Sequence, residues 1–262
     1  MYDYRIYIAD QRIPLVVLFG PCASGKMMTL IRLREYLRKR GMHMTVDPSL
    51  RPSGDKSYEI LCKWFEQQNV FPGVIYDLHL LDRTILVRIL DQRARPICQI
   101  LRLEGDLCFD TDLPNYSFQA LYEYIQSITN KKIWLFFVEE NWGGSQTVRD
   151  LYAKKIQEMQ SRIQPMDKSI FIFNKVDRSN HFRPDGRPNA PVIFQNIKNQ
   201  YPYVFDRYVN RNPITRWFAP YRFNLVTFSA GTFDRTVDGR HVYVPGEDFY
   251  PEQLWKVIKK NV

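Results

Sequence analysis

The chain is 262 residues long, with 45% hydrophobic, 25% charged and 15% aromatic residues, an ordinary soluble globular composition with room for one large α/β domain or one domain with sizeable insertions. Its formal net charge of +9 suits nucleic acid, an anionic membrane or a polyphosphate ligand, but the basic residues are scattered, and no recognition helix, zinc knuckle or stacking signature puts nucleic acid first. No apolar run approaches the roughly 18 residues of a membrane span, and Cys22, Cys62, Cys98 and Cys108 lack CxxC spacing and follow no signal peptide, so they read as reduced thiols of a cytoplasmic protein.

Tyr4 to Ile8 is apolar and β-prone. Ile13 to Phe19 (IPLVVLF) is a short continuous apolar stretch, the pattern of a strand buried on both faces. Gly20 to Gly25 follows as a loop. Lys26 to Arg40 carries Met27, Leu30, Ile31, Leu33 and Leu37 at near-helical spacing, with Gly41 as its C-cap. A phosphate requires several backbone N–H donors pointing inward at once, and a tight glycine-containing loop leading into a helix supplies them. Gly20-Pro21-Cys22-Ala23-Ser24-Gly25-Lys26 has that context: Gly20 and Gly25 permit the path, Ala23 and Ser24 lie within it, and Lys26 reaches the outer phosphates. The next position of such loops is a Ser or Thr that ligates Mg²⁺. Here it is Met27, whose thioether cannot serve a hard cation that takes oxygen ligands. Thr29 lies further along the helix and points elsewhere.

Residues 48–56 read as a loop and Tyr58 to Gln68 as a short amphipathic helix. Thr84 to Leu90 and Pro96 to Leu103 form a β-hairpin across a loop of about five residues. Tyr116 to Thr129 is helical, Lys132 to Val138 is a buried strand, Asp150 to Ile163 is an amphipathic helix, and Ile170 to Phe173 is another buried strand. Asn174-Lys175-Val176-Asp177 follows it, at the strand end where open sheets bind ligands. A carboxylate there accepts two hydrogen bonds from a base edge with adjacent donors, which guanine has and adenine lacks, while the stem of Lys175 lies along the base plane. Residues 178–190 are a loop, 191–218 are aromatic-rich and partly helical, and Phe223 to Phe228 is the last core strand, followed by Ser229-Ala230-Gly231. Thr236 to Val244 forms a small hairpin turning at Asp238-Gly239, and Pro251 to Lys260 closes the chain as a helix. The order predicts a three-layer α/β fold with a mostly parallel sheet and one antiparallel edge strand from the hairpin.

Together these residues resemble the P-loop GTPases of the Ras-like, translation-factor-related class, from about Ile13 to the final helix. The resemblance implies a small-GTPase-like P-loop fold as a single domain over residues 1–262, and GTP or GDP as the ligand. It implies that Asn174 braces the loops, Lys175 covers the base, Asp177 reads guanine, and Ala230, between Ser229 and Gly231, offers a backbone N–H to the base oxygen. It also implies a DxxG motif after the hairpin. In Arg102-Leu103-Glu104-Gly105-Asp106, Gly105 matches its glycine. Arg102 stands where an aspartate supports Mg²⁺ through water, and Asp106 stands where many relatives carry a Gln or Glu that orients the attacking water. No effector-loop threonine is identifiable; Thr84, the nearest candidate, reads better as the start of a strand.

With Met27 and Arg102 in place, the metal loses two usual holders and has no assigned ligand. Three readings stand. The Arg102 guanidinium replaces part of the metal's charge through bidentate phosphate contacts; or Arg102 faces solvent in a decayed site; or Glu104 or Asp106 serves the metal. The catalytic candidates are therefore Lys26, Arg102 and Asp106. Extra length lies at about 42–80 and 178–222, and the second stretch holds Tyr201, Tyr203, Phe205, Tyr208, Trp217, Phe218 and Tyr221, which suits a protein partner or a locally packed subdomain. The chain is similar in this to bacterial double-GTPase-type proteins that pair GPxxSGK with an extended C-terminal region. The expected function is a guanine-nucleotide-dependent regulatory or assembly module with weak or absent Mg²⁺-dependent hydrolysis. The alternatives are an active GTPase using other metal ligands or a partner's residue, and a structural subunit with a decayed pocket.

Overall fold

The apolar runs become the middle of a seven-stranded sheet. A computed structural model describes residues 6–67, 73–74, 83–105, 115–140, 145–218, 220–221, 223–235 and 241–262. In chain order its strands are β1 (Leu15–Phe19), β2 (His43–Val46), β3 (Gly73–Val74), β4 (Ile85–Leu90), β5 (Pro96–Arg102), β6 (Lys132–Glu139), β7 (Lys168–Asn174), β8 (Asn224–Thr227), β9 (Gly231–Arg235) and β10 (His241–Pro245). The main sheet has the order β2-β4-β5-β1-β6-β7-β8, and β3, β10 and β9 form a second, three-stranded sheet. From β5 through β8 all neighbours are parallel. β4 alone runs the other way, antiparallel to both β2 and β5. β1 and β6 are buried along their whole length, as strands covered on both faces must be.

The helices are α1 (Lys26–Arg38), α2 (Lys56–Gln67), α3 (Asn115–Ser127), α4 (Gln146–Arg162), α5 (Ala190–Gln200), the single turn α6 (Pro213–Arg216) and α7 (Phe249–Asn261). The two-residue period of a strand sorts side chains to opposite faces. Trp134, Phe136, Phe171 and Phe173 share one face by register. Trp134 there meets Tyr122 of α3, Phe136 meets Phe19 and through it Tyr152 of α4, and Phe173 stacks on Phe194 of α5. α1 and α7 pack against each other, and α7 packs on β8. The result is the expected three-layer α/β fold.

The aromatic-rich stretch divides. Tyr201 and Phe205 are fully buried, and Phe205, Tyr208 and Phe223 close around Phe171 at ring distances of 4.7, 5.6 and 5.1 Å. Tyr203, Trp217 and Phe218 stand in solvent.

Three elements differ from expectation. Ile6 to Ile8 form no strand; Tyr7 and Ile8 instead donate backbone N–H bonds to the Leu50 carbonyl and the Tyr124 hydroxyl. The last hairpin begins at Gly231 rather than Thr236, and its turn at Asp238-Gly239 lies outside the described residues. His43–Val46, within the stretch read as extra length, pairs with β4 as an edge of the main sheet.

Candidate functional site

The chain runs from β5 on one side of β1 to β6 on the other. The strand order therefore reverses at β1, and open α/β sheets bind ligands in the crevice at the carboxyl ends of such strands. The loop from Gly20 to Gly25 leaves β1 at that point. Gly25 takes φ +83° and Ala23 +56°, left-handed positions that turn the backbone sharply into α1. A Cβ on Gly25 would overlap the Asn174 amide. No side chain caps the N-terminus of α1 and no acid sits in its first turn, so its leading N–H groups and positive dipole end are suited to an anion. Lys26 folds back over the loop: its Nζ donates to the carbonyls of Gly20 at 2.5 Å and Pro21 at 2.7 Å.

Two segments are brought against this loop. At the end of β7, the Asn174 Nδ2 donates to the Ser24 carbonyl at 2.6 Å. After β5, a Cβ on Gly105 would lie 2.8 Å from both the Cα and Sγ of Cys22, so only glycine permits the approach. Lys175 has φ +54° and its Nζ pairs with Glu139 at 2.8 Å, next to Asn174 in the sheet register. Burial pushes the Glu139 carboxyl above its ordinary value, tempered by the Lys175 ammonium. Asp177 sits in a 3₁₀ turn (Val176–Arg178) with its carboxylate exposed. That turn is tied to the end of β8 by the Val176 N–H, which donates to the Phe228 carbonyl at 3.2 Å.

The Ser229–Gly231 turn is held from outside. The Ala230 carbonyl accepts from the Gly246 N–H at 3.0 Å and from the Tyr243 hydroxyl at 2.5 Å. The Ser229 Oγ accepts from the Gly231 N–H at 3.3 Å. Gly246 in turn accepts from Arg32 of α1 at 2.7 Å, and Arg32 also pairs with Asp248 at 2.5 Å.

The metal-side positions are used differently. Met27 is buried in the hydrophobic core. Arg102 is buried, and its guanidinium donates to the Arg83 carbonyl, bracing the end of β5 to the start of β4. The Thr84 hydroxyl accepts from the Glu104 N–H at 3.1 Å, and Glu104 lies 3.6 Å from Arg83. Thr29 bonds back to the Gly25 carbonyl at 3.0 Å. Asp106 lies outside the described residues.

Sequence reasoning brought Gly20, Ala23, Ser24, Gly25, Lys26 and Asn174 to one rim, with Lys175, Asp177 and Ser229 to Gly231 adjoining through β7 and β8. It missed Glu139, the partner of Lys175. The available signal was an acidic pair, Glu139-Glu140, closing an otherwise apolar strand at the carboxyl rim.

No family model and no curated protein sequence matches the chain. Solved structures do. A signal recognition particle receptor SRb-GTP/SRX complex from Chaetomium thermophilum aligns at 13% identity and TM-score 0.47, over 95% of this chain and 98% of that one. Two substitution variants of SsGBP align at 9% and 8% identity and TM-scores of 0.40 and 0.39, and the chain spans 57% and 56% of their length. The strand order and loop geometry described above carry the fold assignment by themselves.

Proposed function

We propose that the chain is a guanine-nucleotide-binding, GTPase-like module in which GTP or GDP occupies the rim from Gly20 to Asp177, with weak or absent Mg²⁺-dependent hydrolysis. One observation carries this reading: the bond from Asn174 to the Ser24 carbonyl joins the turn bearing Asp177 directly to the phosphate loop, so one ligand can touch both. The loop N–H groups and Lys26 take the phosphates, and the open carboxylate of Asp177 takes the adjacent donors of guanine.

Among the described residues the usual magnesium holders are replaced, and Asp106 lies outside them. The hydroxyl position holds a buried thioether, Arg102 is a cation engaged in bracing two strands, and the described residues contain no group of three or more His, Cys, Asp or Glu able to hold a metal ion. Phosphoryl transfer needs fixed positive charge at the outer phosphates, so the geometry favours binding over turnover. Protein partners and a cytoplasmic location belong to the same proposal. Among the described residues no helix is long and apolar enough to cross a membrane.

The test is a titration with GTP, GDP and ATP, each with Mg²⁺ and with chelator. The reading expects guanine nucleotides to bind more tightly than ATP and to the same extent in both conditions. Equal failure of all three nucleotides rejects it. A single-turnover rate that Mg²⁺ strongly raises and Lys26→Ala removes would instead favour an active enzyme.

A further inference from the structure

Far from the nucleotide rim, one surface element uses none of its apolar side chains for packing. Arg211 to Phe218 are all exposed, with Trp217 and Phe218 each 85% exposed and Ile214 77%. This is no loose excursion. Its base is closed by a bridge between Val209 and Tyr221 and by the Asn210 N–H donating to the Pro220 carbonyl at 2.8 Å. Its tip is the turn α6, capped by Asn212, whose Oδ1 accepts from the N–H groups of Ile214 at 2.9 Å and Thr215 at 3.3 Å. The Asn210 amide donates to Thr215 Oγ1 at 2.8 Å. One buried amide, that of Asn210, and the exposed cap at Asn212 thus hold three bare apolar side chains outward.

Charge accompanies them. Arg207, Arg211 and Arg216 are exposed, and the sequence from Arg207 to Phe233 contains no Asp or Glu. We propose that this finger docks the protein onto an anionic lipid surface, Ile214, Trp217 and Phe218 entering the headgroup boundary while the arginines meet lipid phosphates. A convex tip with three apolar side chains is small against the roughly 800 Å² per partner of a specific protein interface. It matches the needs of an interfacial anchor, where an indole sits at the headgroup level and basic side chains snorkel to anionic groups. A platform for single-stranded nucleic acid would be a groove with stacking faces along it, not a projecting turn with an aliphatic residue among its rings.

The position of the base gives an orientation. Asp167, Lys168 and Ser169 at the start of β7 line one cavity with Arg207, Tyr208 and Asn224. The finger therefore leaves from the amino ends of the strands, opposite the phosphate-loop rim, and a docked chain keeps that rim away from the lipid.

The experiment is vesicle co-sedimentation of the full chain with phosphatidylcholine alone and with about one third phosphatidylglycerol added. The expected result is binding to the anionic vesicles only, weakened by salt. Trp217→Ala with Phe218→Ala lowers the affinity by more than about tenfold, and Arg211→Glu with Arg216→Glu lowers it by about 25-fold or more, near fivefold per neutralised charge before reversal adds to it. Both variants keep the wild-type Tm because the altered side chains touch no core. Should a variant lose its fold, quenching of wild-type tryptophan fluorescence by brominated lipid decides instead, and its absence overturns the proposal. So does equal binding to neutral vesicles, equal binding by the Trp217/Phe218 variant, or self-association or oligonucleotide binding through the finger without vesicle binding.

Discussion

The two halves of the candidate site treat their polar groups in opposite ways. On the base side, Asn174 is fixed to the phosphate loop, Ala230 is pinned by two donors to its carbonyl, and the Asp177 carboxylate remains open. On the metal side, Arg102 braces two strands, Thr84 holds the Glu104 N–H, and Met27 belongs to the core. On the proposed reading, the contrast makes ligand binding and metal holding separable in this architecture. Backbone geometry and one carboxylate make the proposed nucleotide site. A cation site needs oxygen atoms that nothing else has claimed.

The comparison breaks most readily at the joint between the halves. Gly105→Ala places a Cβ against the Cys22 backbone, so either the loop or the end of β5 must move. The expected cost is about 2–3 kcal/mol of unfolding stability together with loss of GTP binding, read by denaturant melts and titration. Wild-type stability in this variant would mean the two segments are not held together.

Asp177→Ala probes the base side alone. Removing charged hydrogen bonds of about 1.5–3 kcal/mol lowers GTP affinity by about 10- to 160-fold and leaves ATP unaffected. Tm stays put because the side chain is exposed. An equal loss for both nucleotides would point to a structural role for the carboxylate.

Met27→Ser probes the metal side. If a missing hydroxyl were the whole defect, this variant would bind GTP more tightly with Mg²⁺ than with chelator. Because Arg102 and Thr84 are also engaged, the expected difference is within about twofold, on a protein destabilised by about 1–3 kcal/mol from placing a hydroxyl in the core. A clear magnesium effect would collapse the contrast.

The smallest effect lies at Glu139. Its carboxyl is held above the ordinary 4.5, so the folded chain keeps that proton more readily than the unfolded chain does. Ionising it therefore costs stability as pH rises from 4.5 through the raised folded value. Glu139→Gln cannot ionise, and Lys175, partly exposed, can hydrate instead. The Tm of the variant relative to wild type should rise across that window. A falling difference would show that the ion pair with Lys175 outweighs burial.

Much of this was legible in the sequence where a local pattern and a global role coincide. The turn from β1 into α1 could be placed because its glycines answer a backbone demand that few other residues meet, and Asn174 to Asp177 could be placed at a strand end because they directly follow four apolar residues. β2 was not legible: His43–Val46 offers only Met44 and Val46 to the core, too short an alternation to separate from a loop. The start of β9 was hidden because Gly231 reads as a turn residue, although its φ of +128° and close approach to Val244 and Gly246 are what let β9 begin there. Nor could the sequence say which aromatics of 201–221 pack and which stand free, because that depends on Phe171 of a distant strand. The resemblance foresaw a brace at Asn174 and left its partner, the Ser24 carbonyl, to the geometry.

The segment from Gly246 to Asp248 touches α1 through Arg32 and the base-side turn through Ala230. It forms a second tether between the two walls, beside the bond from Asn174 to the Ser24 carbonyl. If GTP or GDP binds as proposed, tightening at either wall would pass through Gly246 and Tyr243 to the small β3-β10-β9 sheet. Amide exchange in His241–Pro245 should accordingly slow when the pocket fills, making a remote hairpin a gauge of occupancy.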